Sequence, residues 1–167
     1  MNSPRLQVRE ATEADLGALT AMTREFNDYL DALGGAAPSP DADAIAAAAM
    51  GRLRNMAFGP RPLCTVLIAE LDGEPVGYVN YFVGVFMDDA TPAVHVADFF
   101  VSKRHRRRGA GRVLMLEARR IAEGLGASRM LWTVWRRNEE AIRFYEELGA
   151  ELEPHDGAVL MQWLIKP

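Results

Sequence analysis

The sequence predicts an α+β domain over residues 1–167, with elements in the order β-α-α-β-β-β-α-β-α-β-β. Three observations carry that reading. Asp72-Gly73, the strongest short hairpin signal, separates two apolar runs, 63–71 and 76–86, so an antiparallel pair is expected there. Residues 94–113 pass from a β-branched and aromatic run, through a basic turn with two glycines, into residues spaced as a helix. Apolar residues at helical spacing, Leu16, Leu19, Met22, Phe26, Leu30 and Leu33, precede the first hairpin.

Taken in order, residues 6–9 alternate in character and suggest a first strand. Thr12 with Asp15 resembles a capping box, with Asp where Glu is usual. The helix it opens ends at Gly34-Gly35. Pro38 and Pro40 mark a linker, and Asp41 or Asp43 caps a second helix through an alanine run to about Ala57. The hairpin strands follow, then a loop over 87–92 and a third strand over 94–101, making an antiparallel meander. A third helix opens near Gly109 and carries Leu114, Ala118, Ile121 and Leu125 on one face. Residues 129–135 read as a strand, 138–148 as a short helix closed by Gly149, and 151–164 as a final hairpin broken at His155-Asp156-Gly157.

Composition narrows the function. At 49% hydrophobic and 25% charged, the chain is ordinary globular protein with material for a sizeable core. Net charge is −4, yet residues 103–112 hold six Lys/Arg and no acid, so the rest carries −10. A cationic patch on an acidic body suits a small polyanion better than a long duplex, which meets repulsion elsewhere. Cys64 is the single cysteine, which excludes an internal disulfide and favours a reducing compartment. His95, His105, His155 and Cys64 lack the close pair spacings of structural zinc sites, so no metal is expected. No apolar leader and no membrane-length apolar window occur, so the expected location is the cytoplasm, without membrane association.

The turn at 106–111, Arg-Arg-Arg-Gly-Ala-Gly, is the chemically loaded stretch. Glycine lets backbone approach a ligand closely, and the first N–H groups of a helix have no internal partner. Strand, glycine turn and helix N-terminus together form a phosphate cradle, to which arginines add charged donors. A Walker loop is excluded because no Gly-Lys-Ser/Thr follows, and the dinucleotide fingerprint lacks its third glycine. A solvated basic turn and a nucleic-acid patch stay open on these residues alone.

Arg106, Gly109 and Gly111 resemble the coenzyme A pyrophosphate motif of the GNAT acetyltransferase superfamily, Gln/Arg-x-x-Gly-x-Gly/Ala. Residues 138–150, NEEAIRFYEELGA, resemble its second signature, Asn-x-x-Ala-x-x-Phe-Tyr-x-x-x-Gly-Ala/Phe, at every fixed position. The element order fits the same superfamily. The resemblance implies a single acetyltransferase domain around a mixed, mostly antiparallel seven-stranded sheet with about four helices, splayed between its fourth and fifth strands. It implies acetyl-CoA as cosubstrate, held by the backbone of Phe99, Phe100 and Val101 and by Arg106, Arg107, Arg108, Gly109, Ala110, Gly111 and Arg112. Asn138 is expected to touch the cofactor or a water, and Tyr145 to face the sulfur. A backbone N–H near Phe100 or Val101 is expected to meet the thioester carbonyl. On the residues alone, Asn138 reads as a helix cap and Tyr145 as a core tyrosine.

The nearest resemblance within the superfamily is to the spermidine/spermine (diamine) acetyltransferases, whose Glu-Asp-Phe-Phe-Val is matched by Ala97-Asp98-Phe99-Phe100-Val101. Ala97 stands where that family carries its candidate base. Strand alternation groups His95, Ala97 and Phe99 on one face and Val94, Val96, Asp98 and Phe100 on the other, so His95 is the candidate water-mediated base, against a histidine paired across the sheet, and Asp98 the runner-up. Cys64, with no histidine beside it in sequence, reads as a buried small hydrophobe and not a nucleophile. The implied reaction is direct acetyl transfer in a ternary complex to a small-molecule primary amine. Protein lysine or N-terminal acetylation is the enzymatic alternative, and a non-catalytic acyl-CoA-binding module the other. The superfamily also implies a homodimer.

Overall fold

Asp72 and Gly73 both take positive φ, 55° and 84°, the backbone a two-residue hairpin turn of the right twist requires. They join β2 (Thr65–Leu71) to β3 (Glu74–Phe86), and β3 returns through a short loop as β4 (Thr91–Val101). β1 (Leu6–Glu10) pairs with β2, and β5 (Arg129–Leu131) lies beyond β4, giving the order β1-β2-β3-β4-β5. Every pairing is antiparallel except β4 with β5. The computed structural model describes residues 5–37 and 39–152. Packing divides the chain into two units, 1–133 and 134–167. The first holds the sheet with α1 (Leu16–Gly34), α2 (Ala42–Phe58) and α3 (Ala110–Gly124); the second holds α4 (Glu139–Glu147).

Period-two alternation sorts the strands onto two layers. Val66, Ile68, Tyr78 and Phe100 form one core with Leu19 and Met22 of α1 and Leu53 of α2. The alternate set, Leu67, Val79 and Tyr81, is buried on the opposite face. There α3 lies against β2 and β3, with Leu114, Met115, Ala118 and Ala122 buried at helical spacing. Each fully buried aliphatic side chain contributes about 1.5–3 kcal/mol. α1 stops where Gly35 turns left-handed at φ 75°. The N–H groups of Gly35 and Ala36 then return to the carbonyls of Ala32 and Asp31 at 3.1 and 2.8 Å, the bonding that ends many helices.

Several expected boundaries shift. The helix begun at Thr12 opens as a 3-10 turn, Glu13–Asp15, before α1 proper. β2 starts at Thr65, two residues late, because Leu63 is exposed and its N–H is drawn to the Met56 carbonyl at 2.7 Å. The strand expected over 129–135 ends at Leu131; its ladder with β4 covers only Ala93–His95. Five strands are described in place of the expected seven. Glu151 and Leu152 are irregular, and the rest of the expected last hairpin lies outside the described residues.

Asp15 explains why the capping box carries Asp. Its Oδ2 accepts the Thr12 N–H at 2.7 Å and the Thr12 hydroxyl at 3.1 Å. Both oxygens also accept from Arg9, at 2.8 Å each. Arg9 bonds Glu70 as well, at 2.9 and 2.6 Å, and Gln7 donates to Glu70 at 2.7 Å. One guanidinium therefore ties β1, β2 and the entry to α1, with both carboxylates nearly buried. The bonds from Arg9 hold the Asp15 carboxyl down to about 2. A lowered carboxyl contributes stability at neutral pH that is lost as pH falls through its folded value. Arg9→Met should thus cost about 2 kcal/mol at pH 7, less than for a fully buried pair since the guanidinium meets solvent. Urea midpoints should show that gap closing between pH 4 and pH 2; a gap unchanged across that range removes the ion cluster as its source.

Candidate active site

β4 pairs with β3 in two stretches of different register. Val101, Phe100, Phe99 and Asp98 lie opposite Gly77, Tyr78, Val79 and Asn80, and then Val96 lies opposite Tyr81. Ala97 is the extra residue of a β-bulge, and it is exposed. A bulge shifts alternation by one residue and bends the strand. The faces expected from strict alternation are therefore wrong on the early side of Ala97. His95, opposite Phe82, shares its face with Asp98 and Phe100, while Val96 joins Phe99 on the other. His95 and Asp98 sit in neighbouring rows, roughly 7 Å apart along the strand. The same bend accounts for the short β5, whose ladder stops at His95 just before the bulge.

This face carries three chemically distinct groups beyond the part α1 covers. The His95 ring stacks on Phe82, centroids 4.9 Å apart and planes within 5°. Gly84 makes the pose available: a Cβ there would lie 3.1 Å from His95 Nε2. The Asp98 carboxyl is pushed up from its ordinary range by burial, opposed by a hydrogen bond from the Asn80 amide. The Asn80 Oδ1 is buried with no hydrogen-bond partner among the described residues. Asn80 and Gly84 were not singled out from the sequence. The one available signal was an amide within an otherwise apolar strand.

At the end of β4, Ser102 gives way to a 3-10 turn, Lys103–His105, and then to the arginine-glycine stretch. Arg107 and Gly109 take φ 61° and 87°, so the chain reverses sharply into α3. The Val113 N–H bonds the Gly109 carbonyl at 3.1 Å and closes the first helical turn. The N–H groups of Ala110, Gly111 and Arg112 precede it and have no intrahelical acceptor. No acidic residue occupies that turn, and Arg107, Arg108 and Arg112 are exposed around it. This donor set has the charge and the free amides to suit a diphosphate. Arg106 differs from its neighbours. Its Nε donates to the Val101 carbonyl at 3.2 Å and its guanidinium lies 4.7 Å over the Tyr29 ring, so it braces the loop from within.

In the second unit, Asn138 caps α4, its Oδ1 accepting the Ala141 N–H at 3.3 Å. Glu139 and Glu140 fill the positive first turn. Tyr145 meets Phe144 edge-on at 5.3 Å, and Gly149 ends the segment at φ 88°. The cap role read from the residues is thus present for Asn138. Cys64 is partly buried. Burial and the nearby Asp98 both push its thiol up, the opposite of an activated nucleophile. Among the described residues no cluster of His, Cys, Asp or Glu could hold a metal ion, and no helix is long and apolar enough to cross a membrane.

A bulged strand running into an arginine-glycine turn at the N-terminus of a helix is an arrangement suited to a phosphate-bearing ligand. The profile described as the Acetyltransferase (GNAT) family matches residues 22–150. The chain is 28% identical over 151 residues to a thialysine N-epsilon-acetyltransferase of Sus scrofa, covering 86% of this chain and 82% of that one. It is 33% identical over 95 residues to an L-ornithine N5-acetyltransferase of Arabidopsis thaliana, covering 57% and 39%. An integron cassette protein from the mobile metagenome of V. cholerae shares the fold at TM-score 0.75 and 21% identity, covering 95% and 93%. The chain belongs to the GNAT acetyltransferase family and is an acyltransferase.

A carboxyl raised by burial binds its proton more tightly folded than unfolded, so stability falls as pH rises through the folded value. Asp98→Asn removes that charge, and its amide can donate to the Asn80 Oδ1 in return. The variant should melt a few degrees above wild type at pH 7–8, with the gain shrinking as pH falls through the raised folded value and gone below about pH 4. A variant that melts lower at every pH shows instead that the sheet depends on the carboxylate.

Proposed function

We propose that the protein transfers an acetyl group from acetyl-CoA directly to the primary amine of a small molecule, both substrates bound together. The observation that carries this reading is the glycine-arginine turn between β4 and α3, followed at the family's spacing by the stretch 138–150. The names of the relatives favour a short acceptor bearing a terminal amine, as in thialysine or ornithine; a polyamine presents the same group. The −10 carried outside the loop favours a cationic acceptor.

Bound acetyl-CoA supplies the activated acyl group as a thioester. The amides of Ala110, Gly111 and Arg112 and the side chains of Arg107, Arg108 and Arg112 hold its diphosphate. The backbone of Phe99, Phe100 and Val101 orients the pantetheine arm and offers one N–H to the acyl oxygen as charge develops. A primary amine like that of lysine titrates near 10.4, so presenting it neutral at pH 7 costs roughly 4.6 kcal/mol. His95 takes that proton through a water, and Asp98, on the same face, draws in the ammonium form. The Tyr145 hydroxyl donates to the departing sulfur. A phenol near ~10 is a weaker acid than a thiol near ~8.5, so it stabilises charge more than it delivers a proton early. With the Cys64 thiol pushed up, an acyl-cysteine step is disfavoured and transfer is direct.

Thiol release from acetyl-CoA should appear with at least one acceptor among ornithine-like amino acids, polyamines, aminoglycosides and peptides. Silence across the panel returns the protein to a non-catalytic binding module, and turnover only with peptides moves it to protein acetylation. Tyr145→Phe should lower kcat about 10- to 100-fold while the acetyl-CoA KM changes less than about threefold; equal kcat leaves Tyr145 a packing residue. His95→Ala should remove the acidic limb of the pH–rate profile. A mutant retaining that limb eliminates His95 as the base.

A further inference from the structure

α1 grips the cofactor loop at the point where it leaves the sheet. Ser102 is buried, and its N–H is bonded to the Val76 carbonyl at 3.0 Å, the last tie of this strand end to β3. As the residue preceding the 3-10 turn, its hydroxyl would ordinarily accept an N–H from that turn. It makes no such bond. It donates instead to Glu25 Oε2 at 2.8 Å, and the Lys103 N–H, a donor at the start of the turn, reaches Glu25 Oε1 at 2.7 Å. One carboxylate 77 residues away thus caps the turn with both oxygens. Four residues on, one helical turn along α1, Tyr29 lies under the Arg106 guanidinium at the other end of the same turn. The three residues of the 3-10 turn are consequently held at both ends by one face of α1, immediately before the reversal at Arg107 and Gly109.

The structure assigns Glu25, with Tyr29 beside it, as the positioning residue that fixes the diphosphate loop and so sets cofactor affinity; the assignment rests on the acetyl-CoA reading above. Anion binding by backbone N–H groups needs them convergent before the ligand arrives, because each amide ordered at binding subtracts from affinity. Charge-assisted bonds to a carboxylate are stronger than neutral ones, and these two are made to the segment that launches the loop. The expected signature is specific: weaker cofactor binding with the chemical step preserved.

Calorimetry of the full chain with coenzyme A, paired with steady-state kinetics, tests this. Glu25→Ala should weaken coenzyme A about tenfold, or ~1.4 kcal/mol. It should raise the acetyl-CoA KM similarly and leave kcat at saturating acetyl-CoA within about twofold. Glu25→Gln should fall between, since its amide oxygen still accepts from Lys103 while its NH2 donates to the Ser102 hydroxyl. Arg24→Ala breaks the neighbouring ion pair to Asp43 of α2 and should leave affinity unchanged. Wild-type affinity in Glu25→Ala, equal losses in Arg24→Ala, or no recovery in Glu25→Gln each overturns the assignment. Should Glu25→Ala fail to fold, Ser102→Ala removes one of the two bonds and should weaken coenzyme A about threefold; an unchanged value overturns it. Wild-type protein giving no heat with coenzyme A and no turnover overturns the cofactor reading itself, a result distinct from a variant that binds as well as wild type.

Discussion

The register between β3 and β4 is the constraint on which the candidate site depends. Two well-paired stretches are joined by the single unmatched Ala97. Each stretch is pinned by burial: Tyr78, Val79 and Phe100 in one, Tyr81, Val94 and Val96 in the other. Slipping either by one residue would turn an entire apolar row to solvent. The mismatch is therefore confined to one position, and the bulge is where the sheet absorbs it. From this one irregularity follow the common face of His95 and Asp98, the bend of the strand, and the end of its ladder with β5 at His95.

Electrostatics works at two scales around that frame. The loop concentrates cations without local acids, so the amides at the start of α3 and the exposed arginines act in the same sense. Its near environment supplies the compensation. Arg104 pairs with Glu74, and the backbone of Lys103 is held by Glu25. These acids sit at the stem of the loop, not in the first turn of α3, so they anchor it without neutralising the donor end. Arg106 shows the same division of labour, spending its Nε on the Val101 carbonyl and its face on Tyr29 while its neighbours stay outward.

Much of this was legible in the sequence because it is encoded locally. Asp72-Gly73 demands its turn, Gly109 opens a helix with a φ that side chains resist, and Asn138 caps the helix that follows it. Thr12 and Asp15 foretold their bond, though not the Arg9 that makes Asp the better residue there. What escaped is non-local. The bulge at Ala97 carries no glycine or proline to mark it and arises only when two apolar rows must both be buried. The face of His95 was misread for that reason, and the length of β5 was overdrawn for the same one. Glu25 carries no local signal, since its two partners lie 77 and 78 residues away.

The bulge also bears on how an alanine can stand where diamine acetyltransferases carry a candidate base. Ala97 is the residue the ladder leaves out, and it is exposed, so it is no fixed point of the sheet and a side chain there would be held by little else. His95, by contrast, is pinned between the Phe82 ring and the bare backbone of Gly84, and Asp98 is tied across the strands to Asn80. Proton transfer is sensitive to placement, because the base must lie within reach of one proton in one substrate pose. On the proposed reaction, moving that duty from an unpaired position to a packed one trades proximity for orientation. A bridging water then spans the row between them, at modest entropic cost.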